Sequence, residues 1–204
     1  MELTEKEIQM LKHLPTGNIC DANDKKGAMD PAIKPVSPDF RLAGPAFTVE
    51  CQPGDNLPIH KAIAAAPAGS ILVVNAHSYG NAGHFGEIMA MACQQRGIAG
   101  LVIDGGCRDA AELEEMGFPV FCRALCPNGT KKENTGKLNT VINCAGVKVK
   151  PGDIVIGDRD GVVVIPREKA ADVLEKAQAI AEKEKSIKAM LKEGKTTLEI
   201  LGIR

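Results

Sequence analysis

Residues 86–109, with the sequence GEIMAMACQQRGIAGLVIDGGCRD, decide the fold. Residues 87–96 predict a helix that runs ~15 Å before a glycine ends it. The apolar residues 100–104 predict a buried strand that returns over ~16 Å. Because the predicted helix and the predicted strand match in length, we expect Glu87 and Arg108 to lie at the same end of a sheet. Open α/β sheets bind their ligands at the carboxyl ends of their strands.

Three charged residues therefore define a candidate site: Glu87, Arg108 and Asp109. A carboxylate can hold a metal, a guanidinium can bind an acid, and a helix N-terminus favours anions. A glycine-rich segment at 76–86, predicted to be a loop, precedes Glu87. Each charged residue also has a structural interpretation. Asp109 can be a helix N-cap with Glu112 completing a capping box, Arg108 a solvated surface residue, and Glu87 a first-turn glutamate favoured by the helix dipole.

Composition and charge exclude several classes of protein. The chain has 204 residues, of which 44% are hydrophobic, so that one domain with a sizeable core is expected. With 25 basic and 26 acidic residues the net charge is -1. The chain therefore has no excess of positive charge that would favour binding to nucleic acid or to anionic membranes. Aromatic residues make up only 3%, which argues against base stacking.

The seven cysteines are an odd number and contain no Cys-x-x-Cys pair. No positively charged, apolar leader is present at the N-terminus. Free thiols in a reducing cytoplasm fit this pattern, so we expect a cytoplasmic location.

The remaining pattern alternates strands and helices and then adds short antiparallel strands, which predicts a single α/β domain over residues 1–204. We expect N-terminal helices within about 4–27, the second of them over 18–26, and a long charged helix over about 168–192. Further elements are predicted as strands at 46–51, 70–75, 119–123, 140–145, 147–150, 153–157 and 161–165, and as helices at 55–65 and 109–117.

Two further residues near the candidate site have plain interpretations. His84, just before Glu87, can line a pocket, but a loop histidine with satisfied hydrogen bonds is the simpler expectation. Cys107 has no base partner, so we expect it to be a small buried hydrophobe.

The sequence from Glu87 to Asp109 resembles the acidic-x20-Arg-Asp motif of the class II pyruvate aldolases. That family includes 4-hydroxy-4-methyl-2-oxoglutarate aldolase and the regulator of ribonuclease E activity A, RraA. The resemblance covers about residues 16–200 and extends to residues 44–49, 86–90, 97–105, 117–121, 151–153 and 157–166.

The resemblance implies a compact α/β/β/α, swivelling-domain-like fold, assembled as a homotrimer or homohexamer. It implies a divalent metal, Mg²⁺ or Mn²⁺, held by Asp109 and by waters, as is normal for Mg²⁺. Arg108 would bind the pyruvoyl end of a 2-oxo acid substrate, whose carboxylate would also accept hydrogen bonds from the backbone N–H groups of Gly86, Glu87, Ile88 and Met89. The Glu87 side chain would position or deprotonate a water. Glu184 matches a glutamate that the neighbouring subunit's C-terminal helix supplies in the family.

The implied reaction is cleavage of a carbon–carbon bond next to a keto acid, which leaves an enolate of pyruvate. A metal on the keto oxygen stabilises the developing charge. Retro-aldol cleavage also requires a base for the C4 hydroxyl proton, whereas decarboxylation of oxaloacetate does not. A Schiff-base aldolase is the competing enzyme, but the pattern supplies no buried lysine at a strand end.

Two alternatives come from other classes. The regulator branch of the family implies a binding protein that inhibits a ribonuclease. This inhibition would survive loss of Asp109. A menaquinone methyltransferase is disfavoured because the sequence has no glycine-rich nucleotide loop of that kind.

Overall fold

The computed structural model describes residues 3–203, a single α/β domain with a mixed sheet. Within this range the helices are α1 (Glu5–His13), α2 (Thr16–Ala22), α3 (Leu57–Ala65), α4 (Glu87–Gln95), α5 (Ala110–Met116), α6 (Ala170–Lys192) and α7 (Thr197–Leu201). The strands are β1 (Lys34–Pro35), β2 (Leu42–Glu50), β3 (Ile71–Phe85), β4 (Gly100–Cys107), β5 (Val120–Leu125), β6 (Lys137–Leu138), β7 (Ile142–Cys144), β8 (Val147–Val149), β9 (Ile154–Asp158) and β10 (Gly161–Ile165).

The main sheet has the strand order β1-β5-β4-β3-β2-β9-β10, and β6 pairs with β2. Strands β2 to β5 are parallel to one another. Parallel strands need crossover connections, and helices α3 to α5 form these connections. Strand β2 changes partners along its length: its first half pairs antiparallel with β9, and its second half pairs with β3. This exchange divides the sheet into two packed layers.

Side-chain alternation along the strands places the core. In β3, Leu72 and Val74 pack with residues of α3 and α4, whereas Ile71 and Val73 pack with residues of β9 and β10. The outer face of β9 and β10 packs against α1, α2 and α6. The order of layers is therefore helix, sheet, sheet, helix, which confirms the predicted α/β/β/α fold.

The N-terminal helices differ from the sequence prediction in one respect. The second helix begins and ends earlier than expected, at Thr16–Ala22 instead of 18–26. Asp24 and Lys25 have φ values of 56° and 58°, in the left-handed region, which breaks the helix before Gly27. The long C-terminal helix, α6, lies where the charged pattern predicts it. Within residues 3–203, no helix is both long enough and apolar enough to cross a membrane.

The glycine-rich segment at 76–86 is not the loop that the sequence predicts. Strand β3 continues through it as far as Phe85, with register shifts against β4. Glycines permit this pairing: a Cβ on Gly106 would meet the carbonyl oxygens of Ala82 and Gly80 at less than 3.0 Å. The prediction failed because glycine indicates a loop locally, whereas here it allows two strands to approach. The extension carries the chain directly to the start of α4.

Candidate active site

The predicted meeting point of Glu87 and Arg108 exists in the structure. Phe85 at the end of β3 pairs with Cys107 at the end of β4. The Arg108 N–H then donates to the Phe85 carbonyl oxygen at 2.9 Å. The start of α4 and the Arg108–Asp109 pair therefore lie side by side at the carboxyl ends of two parallel strands.

Asp109 is turned toward α4 and away from its own helix. It occupies the N-cap position of α5 with φ 58° and ψ 46°, the left-handed conformation, and its side chain makes no capping bond there. Its Oδ2 instead accepts a hydrogen bond from the Glu87 N–H at 3.0 Å and lies 3.6 Å from Arg108 Nε. The alternative of a plain N-cap with Glu112 is therefore wrong. A left-handed aspartate costs on the order of 1 kcal/mol, and such strain tends to occur at functional sites.

Gly86 makes room for this arrangement. A Cβ added to Gly86 would lie well under 3.0 Å from Asp109 Oδ2 and 3.1 Å from Arg108 Cγ. Its φ of -158° is ordinary extended backbone, so the absence of a side chain matters for space and not for conformation. Only glycine lets the carboxylate approach the N-terminus of α4 this closely.

A pocket of about 290 Å³ opens at this point, near the small end of ligand sites. It is lined by residues from the end of β3, the α4 start, the Arg108–Asp109 turn, the start of α3 and the 126–138 segment: Asn56, His60, Gly83, His84, Gly86, Ile88, Met89, Arg108, Asp109, Gly129, Thr130 and Lys132. Among the predicted site residues, Glu87 and Glu184 are not in this lining. Glu87 is half-buried and adjoins the pocket through its bond to Asp109.

The start of α4 offers fewer free amides than the sequence suggests. The Glu87 N–H is used by Asp109, and the Met89 N–H donates to the Gly86 carbonyl at 3.1 Å. The first N–H groups of a helix have no intrahelical partner of the usual kind. The amides of Gly86 and Ile88 are therefore the donors left for an anion at this end of α4.

Glu184 lies on α6, where its carboxylate is 3.8 Å from Lys188 Nζ. Helix α6 packs against α2 and the outer face of β9 and β10, in the opposite helical layer from α4. Any contact of Glu184 with a pocket of this kind would therefore have to involve a second copy of the chain.

The ring nitrogens of His84 are hydrogen-bonded, as the simpler interpretation predicts, and His84 also lines the pocket. It is fully buried, its Nε2 accepts from the Gly54 N–H at 3.0 Å, and its Nδ1 lies 3.0 Å from the Ala82 carbonyl oxygen. This pattern assigns the proton to Nδ1. Burial lowers the pKa of His84, which keeps the ring neutral. Burial likewise raises the pKa of the Cys107 thiol well above its usual value, so Cys107 is an inert core residue.

Sequence reasoning missed Asn56 as a residue of this pocket. Asn56, at the start of α3, is buried and donates from Nδ2 to the His84 carbonyl oxygen at 2.9 Å. His60 and Lys132 also line the pocket. No local periodicity brings α3 beside residues 129–132, since their contact depends on long-range hydrogen bonds.

Asp109 suits a hard cation. Its Oδ2 is occupied, while its Oδ1 has no hydrogen-bond partner within residues 3–203, and the side chain is 35% exposed. In the same range no group of at least three His, Cys, Asp or Glu side chains is placed to hold a metal. A cation here would rely on one carboxylate, on water and on substrate oxygens, which is a coordination that Mg²⁺ accepts.

Comparison with known proteins decides the family. A family model described as RraA-like, Aldolase/RraA, matches residues 16–164. This chain belongs to the RraA-like family. The RraA-like model covers the candidate site from α3 to β10 but ends before α6.

Similar proteins include one from Halalkalibacterium halodurans that carries the name "Putative 4-hydroxy-4-methyl-2-oxoglutarate aldolase". It is 37% identical over 171 residues, which are 84% of this RraA-like chain and 81% of the relative. The crystal structure of an uncharacterized protein from Pseudomonas syringae matches with a TM-score of 0.82 at 28% identity, covering 96% of each chain. The RNA-processing inhibitor RraA from Thermus thermophilis matches with a TM-score of 0.68 at 27% identity, covering 74% of this chain and 92% of that one.

Proposed function

We propose that this RraA-like protein is a divalent-metal-dependent lyase that cleaves a carbon–carbon bond of a pyruvoyl-containing acid and releases pyruvate. The substrates would be 4-hydroxy-4-methyl-2-oxoglutarate-like acids, oxaloacetate, or both. One observation carries the proposal: the Asp109 carboxylate is held in a left-handed turn against the N-terminus of α4, beside Arg108 and at the edge of a pocket. The names of the relatives support a lyase of this kind.

Asp109 would hold Mg²⁺ or Mn²⁺ through its Oδ1, while Oδ2 stays bonded to the Glu87 N–H. When bound, the cation supplies positive charge at the substrate's keto oxygen, where negative charge develops. Gly86 keeps the carboxylate in place, because any larger residue would displace it.

Arg108 would bind the pyruvoyl carboxylate through charge-assisted hydrogen bonds. Its guanidinium is about half exposed and only loosely paired with Asp109, so donors remain for a substrate. The N–H groups of Gly86 and Ile88 would donate hydrogen bonds to the same carboxylate at the positive end of the α4 dipole. Together these donors would orient the bond to be cleaved.

Proton transfer distinguishes the two reactions. Retro-aldol cleavage requires a base for the C4 hydroxyl proton, and the half-buried Glu87 carboxylate would position or deprotonate a water for this purpose. Glu184 from a neighbouring subunit of a homotrimer or homohexamer would assist. Decarboxylation of oxaloacetate needs no such base, so the same site can perform both reactions.

The proposal is tested by pyruvate release from 4-hydroxy-4-methyl-2-oxoglutarate and from oxaloacetate, with Mg²⁺ and with EDTA. EDTA, Asp109→Ala and Arg108→Ala should each abolish release. Arg159→Ala, which removes an exposed arginine from the turn between β9 and β10, is the matched control and should keep wild-type activity. Full activity in both site variants would sink the proposal.

A second candidate function is a regulator that binds and inhibits a ribonuclease. Its support is the similarity to the RNA-processing inhibitor RraA from Thermus thermophilis. That function would act through an exposed surface and not through the pocket. Inhibition of RNA cleavage by a ribonuclease E-type enzyme that persists in Asp109→Ala, together with no pyruvate release by the wild type, would favour the regulator.

A further inference from the structure

The last part of β3, which leads to the candidate active site, is irregular. Asn75 of β3 pairs with Asp104 of β4, and Phe85 pairs with Cys107. Between these two pairs β3 has seven residues more than β4, and the register shifts three times. Ladder hydrogen bonds do not set the path of a bulged segment. Other bonds must therefore fix where β3 delivers the start of α4.

The first bulge of β3 contains two left-handed residues. His77 and Ser78 have φ values of 54° and 58°. This conformation is costly for residues other than glycine and persists only where the surroundings fix it. The His77 N–H donates to Asn75 Oδ1 at 3.0 Å, and His77 Nε2 lies 2.8 Å from Glu50 Oε1. The Ser78 hydroxyl donates to Asp104 Oδ2 at 3.1 Å. Of these three bonds, the one from Ser78 ties the bulge to β4, the strand that leads to Arg108.

Asp104 is a buried carboxylate with both oxygens occupied. It is 4% exposed. Its Oδ1 accepts from Arg123 Nε, and its Oδ2 accepts from the Ser78 hydroxyl and from the Ala145 N–H, each at 3.1 Å. Arg123, on β5, also donates to Asp30 Oδ2 at 3.0 Å. The carboxylate therefore joins β4 to β5, to the end of β7 and to the first bulge of β3.

The bulges of β3 rest directly on the β4 backbone. A Cβ on Gly105 would lie 2.8 Å from Ala76 Cβ in the first bulge. A Cβ on Gly106 would lie under 3.0 Å from the carbonyl oxygens of residues 80 and 82. Because the two backbones are in contact here, a movement of the first bulge is transmitted to the end of β4, which carries the Arg108–Asp109 pair.

We infer that Asp104 is a positioning residue for the active site. By holding Ser78 it fixes the first bulge of β3 against β4, and this sets how the start of α4 lies against the Arg108–Asp109 pair. The inference rests on the proposed function, because this position matters for catalysis only if the pair binds metal and substrate. Asp104 itself is bonded to protein groups and lies outside the lining of the pocket beside Arg108.

Hydrogen exchange of backbone amides tests the inference without metal or substrate. Two reporters lie at the active site: the Glu87 N–H, which donates to Asp109, and the Arg108 N–H, which donates to the Phe85 carbonyl oxygen. The reference is the Val164 N–H, which is hydrogen-bonded in β10, in the other layer of the sheet. A general loss of stability accelerates exchange at all three amides, whereas a displaced active site accelerates it only at the two reporters.

Ser78→Ala is the decisive variant, because it removes the bond from the bulge to Asp104 and leaves the buried ion pair intact. Exchange at the two reporters should accelerate roughly 10-fold or more, the effect of losing one hydrogen bond to a charged group, while the reference amide keeps its wild-type rate. The kcat for pyruvate release should also fall roughly 10-fold, because the reacting groups are displaced.

Three further variants make the result specific. Asn143→Ala changes an exposed residue of β7 in the cleft that Ser78 and Asp104 also line, and it should leave exchange and kcat unchanged. Ser78→Gly removes the left-handed strain together with the hydroxyl and should match Ser78→Ala at the reporters. Asp104→Asn breaks the buried pair with Arg123 and should accelerate the reporters further. If Asp104→Asn does not fold, the two Ser78 variants decide.

The outcomes separate this inference from the proposed function. Wild-type exchange at the reporters in Ser78→Ala would overturn the inference, and so would equal acceleration at Val164, which would make the Asp104 network purely structural. Wild-type rates in Ser78→Gly would also overturn it, since strain and not the bond would then matter. So would wild-type kcat in Ser78→Ala. Accelerated reporters in a protein whose wild type releases no pyruvate would support the positioning by Asp104 and refute the proposed function alone.

Discussion

Replacing Gly86 with alanine tests how closely the Asp109 carboxylate must approach α4. The new Cβ would lie well under 3.0 Å from Asp109 Oδ2. Restoring an ordinary carbon–oxygen contact requires the carboxylate to move by roughly 1 Å. Because the Glu87 N–H bond to Oδ2 is 3.0 Å long, that displacement also breaks it.

The expected cost is large for activity and small for folding. A displacement of ~1 Å at a reacting centre can cost ~100-fold in rate, or about 2.7 kcal/mol. Gly86 has extended backbone, so alanine adds no left-handed strain, and the change of N-cap residue should cost at most about 1 kcal/mol of stability.

The assay combines kcat for pyruvate release with the affinity for Mn²⁺, measured by calorimetry on the same preparation. Gly17→Ala is the control, because a Cβ there would meet nothing within 4 Å and Gly17 lies in α2. We expect Gly86→Ala to lose ~100-fold in kcat and to bind Mn²⁺ more weakly, while Gly17→Ala behaves as the wild type. A Gly86→Ala protein with wild-type kcat and Mn²⁺ affinity would show that the position of Asp109 does not matter for the reaction.

Three further results are expected. Burial raises the pKa of Asp55, but hydrogen bonds from the N–H groups of Glu133, Leu57 and Asn134 outweigh that effect and lower the pKa from its ordinary 3.8 to about 2 on folding. The stabilisation by Asp55 is therefore complete above about pH 4 and is lost as the pH falls toward 2. In urea titrations the stability advantage of the wild type over Asp55→Asn should shrink by roughly 2 kcal/mol over that range, and a constant difference would contradict the role of Asp55. Glu87→Gln should lower kcat for retro-aldol cleavage more than for oxaloacetate decarboxylation, and equal losses would remove Glu87 from proton transfer. If the proposed homotrimer or homohexamer places Glu184 at a neighbouring pocket, Glu184→Gln should lower kcat, whereas Glu182→Gln, two residues away on α6 and exposed, should not. Equal behaviour of the two variants would exclude Glu184 from the site.

Much of the fold follows from local patterns. The matched lengths of α4 and β4 predict that Glu87 and Arg108 lie side by side, as they do in the structure. The prediction works because a helix and a strand each have a fixed rise per residue. The alternation of Ile71, Leu72, Val73 and Val74 between two core clusters is likewise a consequence of strand geometry.

The remaining features depend on contacts between distant residues. The left-handed backbone of Asp109 is not encoded by its neighbours, because the bond to the Glu87 N–H across 22 residues compensates for the strain. The extension of β3 beyond Asn75 depends on β4 glycines that admit a second backbone. The position of Lys132 depends on Asp55, which bonds to Glu133 at a separation of 78 residues. Spacing within one element predicts none of these.

Pyruvate release from 4-hydroxy-4-methyl-2-oxoglutarate, followed while Mg²⁺ is titrated into EDTA-treated protein, tests the central claim most directly. The wild type should be inactive without Mg²⁺ and should regain activity in a saturable way. Asp109→Asn, which keeps the size of the side chain but loses the charge, should stay at least ~100-fold below the wild type at every Mg²⁺ concentration. Equal rates with and without Mg²⁺, or wild-type activity in Asp109→Asn, would contradict a metal-dependent lyase centred on Asp109.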